Sequence, residues 1–422
     1  MRGDRSVNKP VRLPGKDESQ GRGNLSPGEL RTNGRWRRSP PRTGLPPGVR
    51  RQVESAKDRV RRGAGGNSAT AARPPRESPE SSVPDRDAQA SAGLLERIHV
   101  KLSVVVPFYN VRAYAPDALR SLAANARSDF EFILVDDGST DGTSELLESW
   151  GRDRPRVRLI RHERNRGISA TRNTGMAEVG GRYLTFLDGD DWFAPGYLPR
   201  LLDAIEGFGC DFVRTDHVRC TGSSREIHRA PEARRDEVLS PRESILPADR
   251  STMVDYPYSW AGIYHRRLLD GGLLHFDEDL HTAEDRPWIW RLHRHAGTYA
   301  VTGLRGVFYR RAVATSLTQI GDVRQLDFVP AFDRLLKELA EDPEAELLLP
   351  KAVRTYLAVM VHHRRNADRL QRGVARTMRT LCADALRRLP QDHLDEAVAA
   401  MDSDRAATIR RLRGGLTAVV AR

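Results

Sequence analysis

The sequence predicts an α/β protein built on a doubly wound, mostly parallel sheet of Rossmann-like type, and three observations predict it. From residue 102, short runs of near-continuous Val, Ile, Leu and Phe alternate with helical segments of about ten residues, the pattern of strands buried on both faces. Two of these runs stop abruptly on carboxylates, at Asp136–Asp137 and at Asp188–Asp191. Sheets of this class bind their ligands at the carboxyl ends of the strands, so both acidic tips fall where a site is expected. Beyond residue 325 apolar residues recur at three- and four-residue spacing, which predicts helices only.

Residues 1–97 precede that pattern and are rich in Arg, Pro, Gly and Ser, as in "RRSPPRTGLPPGVRR", with almost no aromatics. They cannot bury enough apolar surface to offset the entropy of ordering, so a disordered basic tail is expected. The alternatives are a basic arm for an anionic surface, or a natural start near Val100. The formal charge of +12 is concentrated there: residues 1–99 hold 21 Lys+Arg against 11 Asp+Glu, and the remainder holds 48 against 46. A nearly neutral body argues against nucleic acid as the partner.

Residues 98–325 read as one domain. "LSVVVPF", "FEFILVDD", "RVRLIRH" and "RYLTFLDGDDW" are its first strands, separated by the helices "AYAPDALRSLAANA", "DGTSELLESW" and "SATRNTGMAEV", with Pro195 expected to open the next helix. Strands at "CDFVRTDHV", "YSWAGIYHR" and "GTYAVTGLRGVFYRR" and a helix at "EDRPWIWRLHRH" follow. Residues 326–422 form a helical module carrying "VPAFDRLLKELAE", "VRTYLAVMVHHRRNADRL" and "GVARTMRTLCADALRRL". Residues 351–390 hold ten Lys+Arg against two acids, the outer face of amphipathic helices or a contact for an anionic surface. The three cysteines have no metal-ligand spacing and indicate neither a disulfide framework nor a zinc knuckle, which suits a reducing cytoplasm. No run approaches the ~18 apolar residues of a membrane span, and no apolar stretch follows the basic N-terminus as a signal peptide requires. The expected location is cytoplasmic, with any membrane contact peripheral, at the inner face.

Three acidic features carry the chemistry. In "ILVDDGSTDGT" the turn residues are ordinary strand-to-helix chemistry and Asp141 caps the next helix, but the paired Asp136 and Asp137 ask for more. Asp137, Ser139, Asp141, Gly142 and Glu148 also fit a calcium loop, yet that loop must follow a helix and this one follows a β-run. Asp188-Gly189-Asp190 is a D-x-D pair at a strand end, suited to a hard cation that bridges to a nucleotide diphosphate. In "TAEDRPW", Glu284 and Asp285 open a helix, where acids complement the helix dipole in any case.

"SVVVPFYN", "ILVDDGSTDGT", "NRGISATRNTG", "YLTFLDGDDW" and "AEDRPW", in this order, closely resemble the family 2 inverting glycosyltransferases of the GT-A fold, over residues 102 to about 295. The resemblance implies transfer of a hexosyl or N-acetylhexosaminyl group from a nucleotide sugar, by default a UDP-sugar, to an acceptor hydroxyl. It implies a divalent cofactor, Mn2+ or Mg2+. The acceptor would be a glycan, polymer or lipid-linked sugar in the assembly of cell-surface polysaccharide, teichoic-acid-like polymer or glycolipid. Position by position, Pro107 and Tyr109 would line the base pocket, Asp137 would accept from the base, and Arg172 would sit near the nucleotide. Asp188 would meet the ribose and Asp190 the metal. Asp285 would be the catalytic base and Glu284 would help place the acceptor. Arg310, Arg311 and Ser316, in "FYRRAVATSL", would clamp the diphosphate. His281 is expected to be structural or acceptor-facing, and His362 and His363 to lie on the surface. Trp260, Trp288 and Trp290 are divided between acceptor stacking and core packing.

Two rivals stand beside this reading. A nucleotidyltransferase would need a glycine-rich loop after the first strand, where "PFYN" stands, and a dinucleotide oxidoreductase fails for the same reason. A catalytically degenerate polyanion- or nucleotide-binding protein would rest on the basic segments alone.

Overall fold

The computed structural model describes residues 100–311, 313 and 317–414. The tail at 1–97 and Ser316 therefore lie outside the described residues. Among the described residues ten strands form one sheet: β1 (Leu102–Phe108), β2 (Phe130–Asp136), β3 (Val157–Arg161), β4 (Tyr183–Phe186), β5 (Trp192–Phe193), β6 (Phe212–Thr221), β7 (Ser224–His228), β8 (Val238–Leu239), β9 (Gly262–His265) and β10 (Tyr299–Arg310). Their main order is β3-β2-β1-β4-β9-β6-β10-β5, with β7 on β6 and β8 on β10. Helices α1 (Ala115–Ala124), α2 (Thr143–Gly151), α3 (Ile168–Ala177) and α4 (Tyr197–Phe208) provide the crossovers of the first half. Then come α5 (Arg266–Asp270), α6 (Asp285–His295), α7 (Phe328–Ala340), α8 (Ala345–Arg365), α9 (Arg372–Arg388), α10 (Gln391–Ala399) and α11 (Ser403–Gly414).

All seven residues of β1 and of β2 are buried, because helices cover both faces of the parallel half. Packing there is close: a Cβ on Gly175 of α3 would lie 2.4 Å from Cγ1 of Val105, so only glycine lets that helix settle on β1. The register pairs Phe108 with Asp136 and Val105 with Phe186, so the loops that leave β1, β2 and β4 emerge at the same edge.

The sheet is not parallel throughout: β5 and β8 pair antiparallel with β10, and β7 with β6. β9 runs antiparallel between β4 and β6, because it is reached through 3-10 turns rather than a crossover helix, and only a crossover returns the chain in the parallel sense. Pro195 also stands outside the helix it was expected to open, since α4 begins at Tyr197 after Gly196 at φ 70°. Past residue 328 the described chain is helical as expected, and the buried apolar residues of the sheet and of α7–α11 join in one cluster from Leu102 to Leu412. The three cysteines are free and buried. Among the described residues no helix is long and apolar enough to cross a membrane.

Candidate active site

The site begins where β1 ends. Tyr109 projects from that edge and keeps 45% of its surface exposed, unusual for a large aromatic next to a fully buried strand. Asn110 follows at φ 49° and ties two loops together: its N–H donates to Oγ of Ser139 (3.0 Å) and its side-chain oxygen accepts from the N–H of Thr140 (2.8 Å). The "DGD" turn after β4 lies against the same edge, with the Gly189 N–H donating to the Pro107 carbonyl (3.1 Å). A Cβ on Gly189 would come within 2.5 Å of the Phe108 ring and 2.8 Å of that carbonyl. Glycine at the centre of D-x-D thus lets that turn pack against Pro107 and Phe108 at the end of β1.

The first acidic tip is occupied by the protein itself. Both oxygens of Asp136 are bonded, one by the Ser139 N–H (3.1 Å) and the other by the Ser144 hydroxyl. Asp137 accepts from Nδ1 of His162 (2.7 Å), the Asn165 amide (2.8 Å) and the N–H groups of Arg166 (2.8 Å) and Gly167 (2.9 Å). Four donors saturate a carboxylate, so Asp137 fastens the "NRG" loop over the sheet edge. Asp141 accepts from the N–H of Thr143 (3.0 Å) and of Arg112 (3.0 Å), which ties the start of α2 to the loop after β1, although Gly142 and not Asp141 occupies the N-cap. These carboxylates converge on no common point, and the calcium-loop spacing is a coincidence of turn chemistry.

The second acidic group is organised around one arginine. Arg172 of α3 is buried, its ring-facing side 5.1 Å from the centre of Phe276, and its guanidinium reaches two motifs at once. Nη2 donates to Asp188 (2.9 Å) and Nη1 to Glu284 (2.8 Å). This bridge brings the β4 tip and the start of α6, far apart in sequence, into one cleft. Asp285 follows at the first position of α6, with Nε of Arg286 at 3.9 Å from its carboxylate. Burial raises the Asp285 carboxyl above its ordinary range, against the pull of Arg286 and Arg172. Burial raises Glu284 as well, opposed by Arg172 and reinforced by Asp285.

Asp190 has little compensation. Burial and the charge of Asp188 push its carboxyl up to about 6, and among the described residues no side chain donates to it. Asp191 is fully buried, accepts the Arg310 N–H through one oxygen (2.7 Å) and leaves the other without a partner. Burial, then Asp190 and Asp188, raise it well above the carboxylate range. Among the described residues no three His, Cys, Asp or Glu side chains gather as a metal cage. What Asp190 and its neighbour Asp188 offer suits a hard cation that takes one or two carboxylates and completes its shell with phosphate oxygens and water.

Arg310 does not project freely into the cleft. Its Nε donates to the Asp190 carbonyl (2.8 Å) and Nη2 to Asp117 (2.7 Å), and its guanidinium lies 4.6 Å from the Trp192 ring centre and 5.1 Å from that of Tyr114. It therefore braces the D-x-D turn from behind. Arg311 is exposed and donates to the Tyr309 hydroxyl (3.1 Å), and it lines with Arg310 and Arg225 a cavity of about 170 Å³ beside that turn. The tryptophans are core residues: Trp288 and Trp290 are fully buried and Trp260 is 4% exposed, so none offers a face to a sugar. His281 is half exposed beside Asp327. His362 is exposed, whereas His363 is packed on Phe328, rings parallel at 4.2 Å, because α8 lies along α7.

Four functional neighbours escape sequence reasoning. Asn165 sits in a quoted motif, but its bond to Asp137 depends on a loop returning across the sheet. Trp192 and Asp117 hold Arg310 only because β5 pairs with β10 beside α1. The fourth, Asp191, reads as a cap and proves to be a buried acid with an unpaired oxygen.

The chain is similar in sequence and in fold to known proteins. The profile of the family described as "Glycosyl transferase family 2" matches residues 103–270. EpsJ of Bacillus subtilis (strain 168), described as an uncharacterized glycosyltransferase, is 31% identical over 238 residues, 56% of this chain and 67% of EpsJ. TuaG of the same organism, named for teichuronic acid biosynthesis, is 34% identical over 116 residues, 28% of this chain and 46% of TuaG. Among solved structures, S. aureus TarS 1-349 in complex with UDP superposes with a TM-score of 0.56 at 21% identity, covering 75% of this chain and 87% of that one. The likeness to EpsJ, which extends over two thirds of that relative, together with the family profile makes the chain a member of glycosyltransferase family 2.

Proposed function

We propose that the protein transfers a sugar from a UDP-sugar to a hydroxyl of a cell-surface glycan or polymer, with inversion and with a divalent metal ion assisting. The observation that carries this is the Arg172 bridge, which sets the donor-side Asp188 and the acceptor-side Glu284 on opposite arms of one guanidinium. Support for the donor comes from the TarS structures, which are complexes with UDP and with UDP-GlcNAc. Support for the acceptor class comes from the name of TuaG, and the chain spans less than half of that relative.

In this reading the exposed face of Tyr109, with Pro107, receives the base, and the loop fastened by Asp137 closes over it. Asp188 meets the ribose, Arg172 fixing its rotamer. A manganese or magnesium ion, when bound, neutralises charge on the departing diphosphate, and Asp190 would hold it. Asp285 takes the proton from the acceptor hydroxyl as that oxygen attacks the anomeric carbon from the face opposite the leaving group. One base suffices for inversion, and a carboxyl raised by burial is a better base than a solvated one. Glu284, held by Arg172, orients the acceptor. Arg311, exposed at the rim, is placed to meet a phosphate, whereas Arg310 serves by bracing the turn.

The direct test is a thermal-shift series with UDP, GDP, CDP and dTDP, with and without manganese, followed by a transfer assay. The reading expects a manganese-dependent rise for UDP that is lost in Asp190→Asn. It fails if no UDP-sugar is turned over, or if Asp285→Asn keeps wild-type turnover.

A further inference from the structure

The turn that delivers Glu284 and Asp285 is held by the C-terminal helices. Ala283, just before the acidic pair, sits at φ 59°, a left-handed conformation that is strained for a non-glycine residue and persists only where the surroundings enforce it. The enforcement comes from Asp327. Its Oδ2 accepts from the backbone N–H of His281 (2.7 Å) and of Thr282 (3.2 Å). Thr282 in turn donates its hydroxyl to the Arg324 carbonyl (2.6 Å), the same oxygen that receives the Asp327 N–H (3.2 Å). On the sheet side the Ser169 hydroxyl donates to the Leu280 carbonyl (3.0 Å).

Asp327 occupies the N-cap of α7, where an aspartate ordinarily accepts from its own helix, and it makes no such bond. A residue that forgoes its local partner for a distant backbone is one whose purpose lies elsewhere. Arg334, seven residues on and so on the same face of α7, grips the same loop through Asp277 (2.7 Å) and Asp279 (2.7 Å). One helix face thus clamps residues 277–282, and the chain leaves that clamp through Ala283 directly into Glu284 and Asp285.

We propose that Asp327 is a positioning residue for the transfer reaction, which makes the C-terminal helices part of the catalytic apparatus. This rests on the reading of Asp285 as the base. Asp327 touches neither donor nor acceptor; it sets the angle at which the acidic pair enters the cleft.

The test compares Asp327→Ala and Asp327→Asn with wild type in two measurements. Hydrogen exchange followed by mass spectrometry over residues 277–286 reads the clamp directly: exchange quickens in Asp327→Ala and stays near wild type in Asp327→Asn, whose side-chain oxygen still accepts. UDP release from UDP-GlcNAc, with water as acceptor, reads the consequence. Asp327→Ala lowers kcat by about 10²-fold while KM stays near wild type, because a slightly misplaced base loses that much without altering donor binding, and Asp327→Asn restores most of it. Unchanged exchange in Asp327→Ala overturns the proposal, as does faster exchange with wild-type kcat. Asp285→Asn runs in parallel: if it keeps full turnover, or if wild type releases UDP from none of a panel of UDP-sugars, the transferase reading has failed, and the exchange result still decides whether Asp327 holds the turn.

Discussion

Two acidic clusters occupy the same edge of the same sheet and do opposite things. At the tip of β2, Asp136, Asp137 and Asp141 are bonded on both oxygens by the protein's own donors. Around the β4 tip and the start of α6, Arg172 pairs only with Asp188 and Glu284, and four of the five acids there, Asp190, Asp191, Glu284 and Asp285, have raised carboxyls. Residue type and location are alike, so the difference is one of compensation. A carboxylate supplied with N–H groups is a fastening. One buried without them is kept short of a cation or a proton, which is what a transferase needs at a diphosphate and at an acceptor hydroxyl.

Substitution can break or sharpen that contrast, and the largest effect is expected at Asp285. Asp285→Asn should cut turnover by about 10²–10⁴-fold, the usual contribution of a general base, with UDP binding retained. Unchanged turnover in a transfer assay would put Asp285 on the fastening side of the comparison.

Arg172→Met comes next. It leaves the buried Glu284 and the part-exposed Asp188 without their partner and should cost about 3 kcal/mol of stability, read by denaturant unfolding. Adding Glu284→Gln should recover part of that loss if the penalty is electrostatic, and none if it is lost packing on Phe276.

The sharpest comparison pairs Asp137→Asn with Asp190→Asn. The first exchanges an acceptor for a donor among four donors and should destabilise by about 1–3 kcal/mol. The second, in metal-free buffer, should stabilise by on the order of 1 kcal/mol at pH 8. Its sign follows from linkage: a carboxyl raised to about 6 in the folded state destabilises that state while ionised, and the penalty fades as pH falls through 6 toward the unfolded value. If both variants shift the melting temperature the same way, the two clusters do not differ as argued.

The smallest expected effect is on pH dependence. Since burial raises Asp285 and a base works only when ionised, kcat should begin to fall on acidification above the ordinary carboxylate range. A profile flat down to pH 4.5 would show a solvated base.

Much of this was legible in the residues. The apolar runs of β1, β2 and β4 and the glycine between Asp188 and Asp190 declare a parallel sheet with chemistry at its carboxyl edge, because strand burial and turn geometry are local demands. The ordered motifs brought Arg172, Asp188, Glu284 and Asp285 onto one page. The sequence presents Arg310 and Arg311 as an equivalent pair, and leaves Trp288 and Trp290 divided between acceptor stacking and core packing. Nothing local distinguishes an arginine over Trp192 from one facing solvent, or a tryptophan in the core from one at a rim.

By itself, then, the chain determined where strands would end and which ends would be acidic, since periodicity, turn residues and helix openings act over a few neighbours. Tertiary structure alone decided which acids are satisfied. That depends on donors arriving from remote segments: residues 162–167 folding back on Asp137, α3 carrying Arg172 between two motifs, and Asp327 reaching from α7 to the turn before Glu284. Hydrogen bonding and desolvation are set by distance in space, and distance in space is what a linear sequence does not state.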